Sequence, residues 1–166
     1  MPRMMQSYSL TEYNRCMSDS LFRISLKAYI ENDKGEVLVV KEHGRDRFDM
    51  PGGGLEFGET IKEALARELK EETGYDGEFT YEVIGAENPH LLLRGIWQVR
   101  LICKLTPETY EFGLGEESDE VMFANADQFE KSDSGAERLV CYYWRKQHGD
   151  TSYSADFPLK ETEKGW

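Results

Sequence analysis

GGLEFGETIKEALARELKEETGY, residues 53–75, joins a glycine-rich turn to one helix. The helix is predicted over 61–73. Ile61, Leu65 and Leu69 recur every four residues and form an apolar stripe. Thr60 followed by Glu63 is a capping box, each side chain placed to satisfy a free amide of the first turn. Ala64 and Ala66 add helix propensity. Gly74 stands where a left-handed residue would stop the helix. Glu63–Arg67 and Arg67–Glu71 have the spacing and charge of favourable i,i+4 pairs.

The acids on this helix are its unusual feature. At roughly 100° per residue, Glu68, Glu71 and Glu72 share an arc of about 100° bordering the apolar stripe. They are therefore expected at the edge of the core. Glu68 and Glu72 repel each other at i,i+4, and a hard divalent cation with oxygen ligands would reverse that sign. The turn at 52–54, three consecutive glycines, lets backbone come close enough for a carbonyl to join such a shell. Taken alone, a run such as ELKEE is usually a solvated helix face.

Outward from this stretch, residues 21–31 alternate Phe22, Ile24, Leu26 and Ala28 with polar neighbours, which predicts a strand. A turn signal, Asn32-Asp33-Lys34-Gly35, leads to a second strand over 36–41, so a hairpin is expected. A charged loop with Arg45 and Arg47 follows. After the helix come strands at 77–84, at 91–105 with Trp97, Val99, Leu101 and Cys103 as its buried face, and at 121–124. An acidic loop at 108–120 precedes the last of these, and a helix over 136–147 closes the order. Strands flanking a central helix, with a second helix last, fit an α/β/α sandwich on a mixed sheet.

With 166 residues the chain suits one domain, large enough to bury over half of its unfolded surface. Its net charge of −12 leaves no basic stripe for a nucleic-acid duplex. That charge also repels phosphate-rich ligands, so a phosphate enzyme of this composition needs local cations. The three cysteines, Cys16, Cys103 and Cys141, are far apart and in no ligand spacing. A reduced compartment without structural zinc is expected. No signal-like or membrane-length apolar run is present, so a cytoplasmic location is the default expectation.

The full spacing Gly-x5-Glu-x7-Arg-Glu-apolar-x-Glu-Glu-x-Gly-apolar resembles the Nudix box. Gly53, Glu59, Arg67, Glu68, Leu69, Glu71, Glu72, Gly74 and Tyr75 match every specified position. The resemblance implies a Nudix-type α/β fold, an α/β/α sandwich with a central mixed β-sheet. It would occupy 21–148, between an N-terminal extension at 1–20 and a tail at 149–166. It also implies a hydrolase using Mg²⁺ or Mn²⁺ to cleave a nucleoside diphosphate linked to another moiety.

Carried over by position, Glu68, Glu71, Glu72 and the Gly53 carbonyl resemble metal ligands. Arg67 resembles the residue that holds the acids, and Glu59 a supporting acid. A general base is expected among Glu117, Glu120 and the box glutamates Glu68 and Glu71. Lys41, Arg45 and Arg47 are candidate phosphate contacts, and Phe48 a candidate base-stacking ring. Pro89 lies one residue from where ADP-ribose hydrolases of this family carry a proline. The expected partner is a small nucleotide, with a homodimer left open. Rival readings are a nucleotide-sensing module of the same fold, an RNA 5′-pyrophosphohydrolase, and an isoprenoid isomerase that would recruit a thiol such as Cys103.

Overall fold

The structure, a computed structural model, describes residues 21–92 and 95–150. The extensions expected at 1–20 and 151–166 lie outside the described residues. The elements run β1 (Arg23–Tyr29), β2 (Val37–Glu42), α1 (Ile61–Thr73), β3 (Phe79–Ala86), β4 (His90–Leu91), β5 (Trp97–Pro107), β6 (Ser118–Ala124), a 3₁₀ turn (Ala126–Phe129) and α2 (Gly135–Gln147). β5 is central to a mixed sheet. It pairs parallel to β1, with Leu26 opposite Leu101, and antiparallel to β3 and β4. β2 and β6 form a separate antiparallel pair, with Val39 opposite Met122.

The expected β1–β2 hairpin does not form as a ladder. The turn is present, with Gly35 N–H donating to Asn32 O at 2.9 Å. The strands then separate after a single bridge between Glu31 and Val37. The segment 49–54 lies between them. On one side Leu26 N–H donates to Gly53 O and Ala28 N–H to Pro51 O, both at 2.8 Å. On the other, Val40 and Asp49 exchange both amide bonds at 2.9 Å. Backbone groups that a hairpin would have paired with each other are satisfied by the glycine turn instead.

The helices cover opposite faces. Leu65 and Leu69 of α1 bury with Leu26, Ala28, Ile30, Leu38 and Cys103. Leu139, Val140 and Tyr143 of α2 bury with Tyr29, Val37, Val39 and Ile102. Odd and even residues of β1 and β2 thus serve different helices, as strand alternation requires. The helix ends follow the sequence. Thr60 and Glu63 make the reciprocal capping box, and Gly74 adopts φ 65°.

Two strand readings are corrected. The run 91–105 is not one strand, because a turn at Leu92, with Gly95 at φ 77°, divides β4 from β5. Its most buried positions before Cys103 are also not those expected: Gln98, Arg100 and Ile102 are buried, while Trp97 is 44% exposed. β5 is covered on both faces, and polar side chains on the α2 side are tolerated because they are paired. Arg100 Nη1 lies 3.1 Å from a Glu87 carboxylate oxygen. β6 begins at Ser118, three residues earlier than the apolar run indicated.

Gly52 sets the limit on how tightly the turn docks. It adopts φ 133°, and a β-carbon there would overlap the Leu26 carbonyl. Gly52→Ala is expected to lower stability by at least about 2 kcal/mol, measured by urea denaturation.

Candidate functional site

Arg67 is the hub of the site. Its Nε donates to Glu59 Oε1 at 2.8 Å and Nη2 to Glu59 Oε2 at 3.1 Å. Nη2 also donates to Gly54 O at 2.9 Å. Nη1 reaches Glu68 Oε1 at 2.8 Å and Glu71 Oε2 at 3.2 Å. The planar guanidinium can serve all of these at once because its donors form a fixed fork. These bonds push the Arg67 pKa further up and hold the Glu59 carboxyl below its ordinary value. The expected Glu63–Arg67 pair is absent. Glu63 Oε2 instead accepts the Thr60 amide and hydroxyl, each at 2.8 Å.

The acids differ in environment. Glu72 is 2% exposed and accepts Gly52 N–H at 2.7 Å. Burial pushes its carboxyl up to about 8, opposed by the charge of Lys27 and the Gly52 amide. Glu68 is 8% exposed and lies against Gly53, whose missing side chain makes room for its carboxylate. Burial raises its pKa too, while Arg67 pulls it back down. Glu71 is the more open of the three. All three present oxygen, the donor that hard cations prefer. Among the described residues no three carboxylate, imidazole or thiolate groups converge into a finished metal cage. The Gly53 carbonyl already accepts the Leu26 amide, leaving one lone pair.

The loop before β6 is tied to the end of α1. Gly113 N–H donates to Thr73 O at 2.9 Å, Gly115 N–H to Glu72 O at 3.1 Å and Glu117 N–H to Glu71 O at 3.0 Å. The Ser118 hydroxyl donates to Glu72 O. Alternate loop amides thus satisfy carbonyls that a helix C-terminus leaves open. This places Glu117 on the wall of a cleft of about 430 Å³, with Arg23, Gly54, Leu55, Glu56, Arg67, Glu68 and Glu71.

Other residues singled out from the sequence lie elsewhere. Glu120 does not line this cleft; its carboxylate pairs with Lys41 at 3.0 Å. Arg45 lies 3.4 Å from Glu42. Arg47 is half-buried on the same loop. Phe48 packs on Phe129 with centroids 6.2 Å apart, and Lys41 Nζ sits 5.9 Å from its ring. Arg23, one of the polar neighbours in the predicted first strand, lines the cleft together with Arg67. It bonds Gln98 of β5. No local motif marks it, since it stands 44 positions before Arg67.

Sequence and structure comparisons give the family and the fold. The NUDIX domain family model matches residues 21–144, and the chain belongs to the Nudix family. It is 34% identical to Nudix hydrolase 5 of Arabidopsis thaliana over 98 residues, 54% of this chain and 31% of that protein. It is 45% identical to the RNA pyrophosphohydrolase of Acinetobacter baylyi over 53 residues, 32% of each chain. The chain thus spans about a third of the length of these relatives. The MutT protein from Methanosarcina mazei Go1 has the same fold, with TM-score 0.63 at 21% identity, covering 80% of this chain and 99% of that one.

A β-carbon at Gly115 would overlap the Glu71 and Glu72 backbone. Gly115→Ala is expected to lift the loop off α1. Hydrogen exchange should then show amide protection lost at Gly113, Gly115 and Glu117 and kept in α1.

Proposed function

We propose that this chain is a Mg²⁺- or Mn²⁺-dependent hydrolase of the diphosphate linkage in a nucleoside diphosphate joined to another moiety. Nucleoside triphosphates, damaged ones included, and nucleotide conjugates are the substrate class. The observation that carries the reading is Glu72, an acid buried to 2% exposure beside Glu68 and a glycine turn. A buried carboxylate is costly unless a cation offsets it.

Glu68, Glu71, Glu72 and the Gly53 carbonyl would hold the cation. Bound there, it would neutralise phosphate oxygens and make water more acidic. Arg67 keeps Glu59, Glu68 and Glu71 in register through charge-assisted bonds. Arg23 faces the same cleft and is placed to meet a substrate phosphate. Glu117 is the preferred general base, because it lines the cleft whereas Glu120 is engaged by Lys41. In the step itself the water oxygen bonds to phosphorus and its proton passes to Glu117. The bridging oxygen leaves with the electron pair of the broken P–O bond. Lys41, Arg45, Arg47 and Phe48 lie on β2 and the loop after it, outside the residues that line this cleft.

The resemblance to RNA pyrophosphohydrolases supports a second reading, removal of diphosphate from an RNA 5′ end. The net charge of −12 favours the smaller substrates.

A screen for phosphate, pyrophosphate and AMP release with Mg²⁺ over nucleoside triphosphates, sugar nucleotides, dinucleotides and 5′-triphosphorylated RNA separates these readings. Glu72→Gln is expected to abolish turnover, and activity that survives it on every substrate removes the site assignment. Glu117→Gln is expected to lower kcat by about 10²- to 10⁴-fold with unchanged circular dichroism. Full activity in that variant moves the base to another residue.

A further inference from the structure

Lys27 is a buried lysine outside the box. It lies on β1 with its side chain 6% exposed, directly beneath the glycine turn. Its ammonium is 2.7 Å from Asp49 Oδ2 and donates to Met50 O at 3.0 Å and to Gly52 O at 3.1 Å. Three acceptors meet the three protons of an ammonium group. They come from one short segment, on both sides of Pro51.

The same segment touches two of the acids. Gly52 offers its N–H to Glu72 at 2.7 Å. Gly53 leaves the space that the Glu68 carboxylate occupies. A continuous path therefore runs from the Lys27 ammonium, through the backbone of residues 50–53, to Glu72 and Glu68. A well-packed apolar side chain would fill the strand position at comparable stability. What it could not do is fix the direction of two carbonyls at once.

We propose that Lys27 is a positioning residue for the metal-binding acids, acting through the glycine turn whose Met50 and Gly52 carbonyls it anchors. This rests on the reading of Glu68 and Glu72 as ligands of a divalent cation. Asp49 pairs with the ammonium at 2.7 Å, and beside the charge it brings toward Glu72 the lysine fixes the backbone of the turn. Partners bonded directly to metal ligands are commonly worth about 10- to 100-fold in affinity, and Lys27 acts one step further out through Gly52, so the low end applies.

The test uses the full-length chain and Mn²⁺ alone, with free Mn²⁺ counted by electron paramagnetic resonance well below each variant's melting temperature. The wild type is expected to bind and Glu72→Gln to lose binding. Lys27→Met, of similar length without the ammonium, is expected to bind Mn²⁺ about tenfold more weakly while folded by circular dichroism. A purely structural lysine would lower the melting temperature and leave Mn²⁺ affinity unchanged. A lysine that merely repels the cation would give tighter binding in Lys27→Met. Either result overturns the proposal and leaves the metal site standing. Should Lys27→Met not fold, Lys27→Gln takes its place: weaker Mn²⁺ binding supports the anchor, and wild-type affinity overturns it. A wild-type protein without Mn²⁺ affinity overturns the metal reading itself, and this inference with it.

Discussion

The architecture depends on one backbone arrangement, the insertion of residues 49–54 between β1 and β2. Val40 and Asp49 are bonded on one side, and Leu26 and Ala28 hold Gly53 and Pro51 on the other. Without this insertion the two strands would be free to pair as a simple hairpin. With it, β1 turns to β5 and β2 to β6, and the glycine turn is gripped by both sheets. A loop so held can keep its carbonyls and amides fixed beside buried acids. Its geometry is set by ladder hydrogen bonds and not by its own flexible residues.

The second constraint is electrostatic. Glu68 and Glu72 are drawn into a low-dielectric edge where each is pushed toward its neutral form. Arg67 offsets part of this by bonding Glu59, Glu68 and Glu71 together, and Lys27 contributes from below. Neither cation bonds the Glu72 carboxylate, which takes the Gly52 amide. The site is thus balanced around its periphery and least compensated at its most buried acid. That distribution suits a group whose charge is completed by something arriving from solution, which is why the burial of Glu72 carries more weight than the acid count.

Much of α1 was legible because helices are read from local spacing. The capping box, the apolar stripe and the Gly74 stop are all contained within fifteen residues, and each appears in the structure. The β1–β2 pairing was misread because a tight turn between two apolar runs reports only that the chain reverses. It does not report that a segment ten residues later will take the hydrogen bonds. The face of β5 was misread for a related reason. Alternation assigns burial to apolar residues, but Gln98 and Arg100 are buried with partners brought from β1, from β4 and from Glu87 just after β3. Arg23 and Lys27 were invisible as site residues because their relevance comes from parallel pairing across 75 positions and from the inserted turn, not from neighbours in sequence.

The charge of the whole molecule bears on how such a site is filled. A net charge of −12 attracts divalent cations and repels free polyanions over roughly a Debye length, about 8 Å at physiological salt. A nucleotide already complexed with a divalent cation carries less of the repelled charge than the free anion. Within the cleft the balance stays negative, because only Arg23 and Arg67 stand among Glu56, Glu68, Glu71 and Glu117. The acids cannot by themselves hold a phosphate, and the two arginines cannot by themselves neutralise a diphosphate. On the proposed reading, a cation held by the acids would turn this repelling surface into one complementary to a phosphoanhydride. An acidic chain can therefore work on anions, provided that its carboxylates are spent on metal and that a few guanidinium groups are left to face the substrate.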